Sequence, residues 1–122
     1  MRWIIALTMA GKKITVEAGT AALKDLPAQL PTAVRFLLQK IEADHRGGTV
    51  ELRVPPFGAV QCIEGMNHRR GTPPNVVEMT PEVFLGLCMG ELSPEEAMTK
   101  PGCSFSGEKA ELTFVVFPVA GL

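Results

Sequence analysis

Residues 65–80 contain the side chains of this chain that are best suited to chemistry. His68 and the neighbouring Arg69 and Arg70 lie between two glycines, and Glu78 follows shortly after them. A guanidinium binds carboxylates and phosphates through two parallel hydrogen bonds, and a histidine can transfer a proton near neutral pH. The segment is therefore a candidate site for a small anionic molecule.

The same segment also has the composition of a solvated turn. Gly71 and the pair Pro73-Pro74 are typical of a connection whose charges only keep it hydrated. The sequence leaves both interpretations open. The candidate polar cluster at this loop consists of Glu64, His68, Thr72, Asn75 and Glu78.

Arg70 is predicted to have a carboxylate partner, with Glu78 or Glu64 as the first choices. A guanidinium on a loop constrained by glycine and proline is well placed for a fixed, forked contact. An alternative is that Arg53, Arg70 and these carboxylates form a structural ion network that braces the loop.

The length and charge of the chain limit its class. The 122 residues are enough for one domain, and we expect a single domain over residues 1–122 with residues 1–11 as an extension or arm. Ten of the twelve basic residues precede Glu78, whereas seven of the thirteen acidic residues lie from Glu78 onward. This split lacks the basic stripe of a nucleic-acid or membrane-surface protein, and a homo-oligomer is compatible with it.

The start of the chain has two interpretations. Arg2 precedes a short apolar run, as in a signal peptide, but the run from Trp3 to Met9 is at the lower limit for such a segment and too short to span a bilayer. We prefer the alternative that translation begins at Met9 and that the preceding residues are upstream sequence.

The cysteines Cys62, Cys88 and Cys103 are odd in number, distant in sequence and surrounded by apolar residues. This pattern is typical of reduced core residues in a cytoplasmic protein. The sequence has no close pair of cysteines or histidines at metal-ligand spacing, so we expect no metal and no cofactor.

Periodicity predicts the order of helices and strands. Apolar residues at Val34, Leu37, Leu38 and Ile41 predict an amphipathic helix over 31–44. Helix starts at Thr80 and Ser93 predict a helix over 81–90 and a short one that turns Ala97 and Met98 inward. Alternation predicts a short edge strand or an extended arm over 12–19, and further strands over 49–54, 57–64, 75–79, 103–106 and 110–117.

Several of these stretches resemble a known family. They are Arg-Gly-Thr-Pro-Pro-Asn-Val-Val-Glu at 70–78, Pro-Glu-Val-Phe-Leu-Gly-Leu at 81–87, Gly-Glu-Leu-Ser at 90–93, Val-Glu-Leu-Arg-Val-Pro-Pro-Phe at 50–57 and Val-Gln-Cys-Ile-Glu-Gly at 60–65. Over residues 32–117 the sequence resembles the small bacterial domain of the sterol carrier protein superfamily. Similar domains form the C-terminal part of mycothiol-dependent maleylpyruvate isomerases.

The resemblance implies an α+β fold with a sheet of about five strands, mostly antiparallel, and helices packed on one face. In the wider superfamily an apolar tunnel between these layers holds sterols, fatty acids or acyl chains. The residues after 117 leave no room for the C-terminal helix that closes the tunnel in many members, so we expect an uncovered gap and an apolar cavity in the layer. The competing outcome is that Phe36, Phe57, Phe84 and Phe105 turn inward and fill the space.

The first hypothesis is therefore a non-catalytic domain that binds a hydrophobic or amphipathic small molecule. Its polar head would lie near Arg53 and Arg70, and its tail would contact apolar residues that include Leu37, Leu38, Phe84, Leu87 and Met98. One alternative is an enzyme or enzyme subdomain that acts on a small anionic substrate through the Arg70 loop. The other is a structural or regulatory interaction domain.

Overall fold

The computed structural model describes residues 13–65 and 75–122. These residues form an α+β fold with four α-helices, four strands and a 3₁₀ helix. In chain order the elements are α1 (Val16–Leu23), α2 (Leu30–Asp44), β1 (Val50–Val54), β2 (Gly58–Cys62), β3 (Asn75–Met79), α3 (Pro81–Cys88), α4 (Pro94–Met98), β4 (Cys103–Ser106) and the C-terminal 3₁₀ helix (Ala110–Val116).

Helix α1 begins at Val16 and includes the second half of the segment 12–19 for which an edge strand was predicted, so that prediction was wrong. The hydroxyl of Thr15 accepts a hydrogen bond from the amide of Ala18 at 3.1 Å, which caps the first turn. Glu17 in this turn complements the helix dipole, and the alanines that follow favour helix. The cap and this composition outweighed a short alternation that also fits a helix face.

The four strands form a mixed sheet in the order β2-β1-β3-β4. β1 pairs antiparallel with β2, and β3 pairs antiparallel with β4, but the central pair β1–β3 is parallel. The expected sheet of about five mostly antiparallel strands is thus corrected to four strands in the described part of the chain, with a parallel pair at its centre.

Residues 110–117 were predicted to be a strand and instead form the C-terminal 3₁₀ helix. A 3₁₀ helix has three residues per turn, so Ala110, Thr113 and Val116 lie on one face, and all three are buried. The amide of Lys109, just before this helix, donates to Oδ1 of Asn75 at 2.8 Å. This long-range contact fixes the start of the helix over the sheet.

The hydrophobic core lies on one face of the sheet. β1, β2 and β3 direct buried apolar side chains toward this face; these are Val50, Leu52, Val54, Val60, Cys62, Val77 and Met79. Helix α2 packs against β2, and the 3₁₀ helix packs over β1 and β3. The alternate strand residues, including Glu51 and Arg53, lie on the opposite face, here called the outer face.

The predicted starts of α3 and α4 are confirmed. Thr80 accepts from the amide of Val83 at 3.3 Å, and Ser93 and Glu96 form a reciprocal capping box. Hydrogen bonds from Ser93 to the carboxylate lower the pKa of Glu96. In the described ranges, no helix has the length and hydropathy needed to cross a membrane.

Contact between α1 and α2 depends on a glycine. A Cβ at Gly19 would overlap the ring of Phe36. We expect Gly19→Ala to lower the free energy of unfolding by about 1–3 kcal/mol, because the ring must leave its position. Chemical denaturation measures this loss.

Thr20→Ala, at an exposed position of the same helix, is the matched control and should leave stability unchanged or slightly raised. Phe36→Leu should remove most of the added cost of Gly19→Ala in the double variant. A Gly19→Ala protein as stable as the Thr20→Ala control would show that the two helices do not pack in this way.

Candidate functional site

The apolar residues predicted to hold a ligand tail come together in the structure. Leu37 and Leu38 of α2 and Phe84 and Leu87 of α3 are buried in one cluster with the inward residues of the sheet. We call the space filled by this cluster, between the sheet on one side and α2, α3 and the 3₁₀ helix on the other, the apolar layer.

Met98 does not belong to the apolar layer. Its residue surface is 45% exposed, whereas the preceding Ala97 is fully buried in the core. The short helix α4 therefore turns only one of these two residues inward, because adjacent helix positions point about 100° apart. The prediction that Met98 contacts the ligand tail is corrected on this ground.

The C-terminal segment covers the apolar layer, contrary to the expectation of an uncovered gap. Phe84 meets Phe117 edge to face with ring centroids 6.1 Å apart, and Phe114 lies 6.4 Å from Phe117 and 5.5 Å from Phe105. The amide of Val119 donates to the carbonyl of Cys88 at 3.0 Å. A row of aromatic rings thus extends from α3 to β4.

The competing outcome, in which four phenylalanines turn inward and fill the layer, is met only in part. Phe84 is fully buried in it, while Phe57 and Phe105 are partly buried against its edge. Phe36 packs against Gly19 of α1, on the side of α2 that faces away from the sheet. Most of the layer is therefore lined by leucine and valine rather than by aromatic rings.

Arg53 lies on the outer face of the sheet. Its Nε lies 2.6 Å from Oε2 of Glu51, and its Nη1 lies 4.0 Å from Oε1 of Glu78. The side chains of Glu51 and Arg53 are only 8% and 17% exposed, and that of Glu78 is 48% exposed. Glu51 is thus the main partner of Arg53, although the sequence analysis did not single it out.

This position separates Arg53 from the predicted ligand tail. Leu52 and Val54, its neighbours in β1, point into the apolar layer, so the sheet stands between the guanidinium and the layer. One ligand cannot place its tail beside Leu37 and its head on Arg53 without passing through the sheet. The prediction that one ligand binds Arg53 with its polar head and the apolar residues around Leu37 with its tail is corrected accordingly.

The predicted loop cluster is divided. His68, Arg70 and Thr72 lie outside the described residues, so the carboxylate partner of Arg70 stays a prediction. Glu64 is exposed, and it belongs to no ion pair within residues 13–65 and 75–122. The ion network expected around Arg53 therefore includes Glu78 but, in these residues, not Glu64.

Asn75 connects three parts of the chain. Its Nδ2 donates to the carbonyl of Thr49 at 2.9 Å, and its Oδ1 accepts from the amide of Lys109 at 2.8 Å. Asn75 is buried, so both hydrogen bonds replace contacts with water. The residue joins the start of β1, the start of β3 and the start of the 3₁₀ helix.

The backbone before the loop has an unusual conformation at Ile63. Its φ of 72° is in the left-handed region, which costs a β-branched residue about 1–3 kcal/mol. Two backbone hydrogen bonds hold it there: its amide donates to His45 at 2.7 Å, and its carbonyl accepts from Thr49 at 3.1 Å. Gly47 is required beside it, because a Cβ there would overlap the Ile63 carbonyl.

Two buried hydroxyls have no hydrogen-bond partner in the described residues. They belong to Thr49, at the start of β1, and to Thr113, at the middle of the 3₁₀ helix. Thr113 was not among the predicted site residues, because residues 110–117 were predicted to be a strand. The available signal was a single hydroxyl within the otherwise apolar run Leu112–Phe117.

The cysteines are suited to packing rather than to nucleophilic chemistry. Burial, with a smaller contribution from the Glu42 carboxylate, raises the pKa of the Cys62 thiol to about 12. Burial also raises the pKa values of Cys88 and Cys103. In the described ranges, no group of three or more histidine, cysteine or carboxylate residues is arranged to hold a metal ion.

Comparison with known proteins gives a family match. Residues 27–119 match the model of a family described as bacterial SCP ortholog, which covers α2, the whole sheet, α3, α4 and the 3₁₀ helix. A search of curated proteins finds no match.

The role of Asn75 can be measured directly. We expect Asn75→Ala to lower the free energy of unfolding by about 2–4 kcal/mol, because the Thr49 carbonyl and the Lys109 amide both lose their partner. Gln61→Ala, at an exposed sheet position, is the control and should change stability by less than about 0.5 kcal/mol. Equal stability of the two variants would contradict the bridging role of Asn75.

Proposed function

This chain belongs to the family of bacterial SCP orthologs, and we propose that it is a non-catalytic domain that binds a hydrophobic or amphipathic small molecule in its apolar layer. The observation that carries this proposal is the continuous apolar layer, which is lined from both sides by leucine and valine. The rings of Phe84, Phe114 and Phe117 border it. The sterol-carrier-like resemblance of the sequence supports the same class of ligand.

The energetics favour a ligand with a long hydrocarbon part. Each CH₂ group transferred from water into an apolar interior contributes about 0.8 kcal/mol, so a tail of ten to twelve carbons contributes about 8–10 kcal/mol. This gain must offset the loss of translational and rotational freedom and the rearrangement of the layer.

The C-terminal segment is the proposed route of access. In the described residues its tail is joined to α3 by one backbone hydrogen bond, from Val119 to Cys88, together with ring contacts at Phe117. The 3₁₀ helix before it has weaker hydrogen-bond geometry than an α-helix. A ligand could therefore enter by displacing this segment while α2, α3 and the sheet remain in place.

The alternating faces of β3 supply matched variants for a binding test. Val77 lies opposite Leu52 and points into the apolar layer, whereas Val76 lies opposite Glu51 on the outer face. We expect the fluorescence of phenylnaphthylamine, a neutral apolar dye, to rise on titration with the protein. Val77→Phe should weaken this binding about tenfold, since the ring occupies the layer, and Val76→Phe should change it by less than about twofold.

Thermal melting identifies variants that do not fold. If Val77→Phe does not fold, Val77→Ile serves as a smaller change at the same position. No dye uptake by the wild-type protein would contradict the proposed function. Equal loss of binding in the Val76 and Val77 variants would place the dye outside the apolar layer.

A further inference from the structure

A single hydroxyl faces the interior of the otherwise apolar layer. Thr113 is fully buried, and it lies between Ala110 and Val116 on the inward face of the 3₁₀ helix. Both neighbours belong to the hydrophobic core, and this helix packs over β1 and β3. Because a 3₁₀ helix repeats every three residues, the Thr113 side chain must point into the same layer.

The other buried polar side chains of the described residues are placed differently. Glu51 lies on the outer face in contact with Arg53, and Asn75 makes hydrogen bonds with both its amide and its carbonyl oxygen. Thr49 precedes Val50, so it points away from the layer, and its hydroxyl lies beside Gly65. Asn75 is in register with Val50 and shares the inward face, but both its polar atoms are paired. Thr113 is therefore the buried polar side chain of residues 13–65 and 75–122 that faces the layer without a hydrogen-bond partner.

The hydroxyl of Thr113 has no hydrogen-bond partner in the described residues. Leaving a buried hydroxyl unpaired costs a protein free energy, and valine would have the same shape without this cost. A ligand atom that accepts from or donates to this hydroxyl would remove the penalty on binding. The layer thus contains one position where a polar ligand atom is favoured.

The charge around this position limits the ligand further. The buried side chains of the layer are apolar apart from Thr113 and the hydrogen-bonded Asn75, and Arg53 is separated from the layer by the sheet. An ionised carboxylate placed there would lose its hydration without meeting a cation. A neutral hydroxyl or carbonyl group would lose much less and could pair with Thr113.

We propose that Thr113 is the polar anchor of the ligand site, and that the domain selects neutral ligands with one hydroxyl or carbonyl group next to a hydrocarbon part, over the corresponding carboxylates. This inference rests on the proposed function, since it requires that the apolar layer takes a ligand. It also assigns the C-terminal 3₁₀ helix a direct part in recognition.

The test compares three competitors of similar length for displacement of phenylnaphthylamine: decanol, decanoate and chlorodecane. The variants are Thr113→Val and its control Thr49→Val, which removes the other unpaired buried hydroxyl on the opposite side of the sheet. Wild-type protein should bind decanol more tightly than either other competitor. Thr113→Val should weaken decanol binding about three- to tenfold and leave chlorodecane binding unchanged, whereas Thr49→Val should keep the wild-type preference.

Melting of the ligand-free variants provides a second readout. Thr113→Val should melt at the wild-type temperature or above it, because its hydroxyl has no partner to lose. A lower melting temperature would mean that the Thr113 hydroxyl forms a hydrogen bond within its own helix, and would overturn the inference. So would equal affinities for the three competitors, or an unchanged preference for decanol in Thr113→Val. Failure of the dye itself to bind would instead overturn the proposed function.

Discussion

The two-residue repeat of the central strands is the constraint on which the rest of this structure depends. In β1, Leu52 and Val54 point toward the helices, so Arg53 between them must point away. The parallel neighbour β3 follows the same rule, with Val77 inward and Glu78 beside Arg53. The sheet thus separates a largely apolar and uncharged interior from a partly buried ionic cluster, and a ligand can use one of these environments without the other.

The C-terminal 3₁₀ helix completes the apolar layer with inward side chains that recur every three residues, whereas those of a strand recur every two. Its inward residues close the space above β1 and β3, and Phe114 and Phe117 continue the closure toward α3. The same repeat brings Thr113 into the layer. One short element therefore acts as the cover of the proposed binding site and supplies its polar group.

Local signals predicted α2, α3, α4 and the strands β1 to β4 with bounds within a few residues of those found. The caps at Thr80 and Ser93, each followed by a proline, made the helix starts predictable, because the capping hydrogen bonds join residues close in sequence. The cap at Thr15 is of the same kind and could have been recognised. Alternation in 12–19 and 110–117 was too short to distinguish a strand from a helix face.

The errors in the predicted site have a different origin. Apolar residues of the layer were identified correctly because helix periodicity shows which side is buried. The ligand head was assigned to Arg53 although the alternation of β1 places that side chain on the face opposite Leu52 and Val54. Contacts such as Lys109 with Asn75 and Val119 with Cys88 join distant parts of the chain and leave no local pattern. The C-terminal cover and the position of Thr113 follow from these contacts, so they emerged only from the structure.

The central claim is tested most directly by locating a bound hydrocarbon in the protein. Nuclear Overhauser effects between the alkyl protons of decanol and assigned methyl groups would locate it. We expect contacts with inward methyls of Leu37, Val77 and Leu87, and none with the exposed methyls of Leu112 and Val115. Contacts confined to those exposed methyls would show that the ligand lies on the surface, and would contradict the assignment of the apolar layer as the binding site.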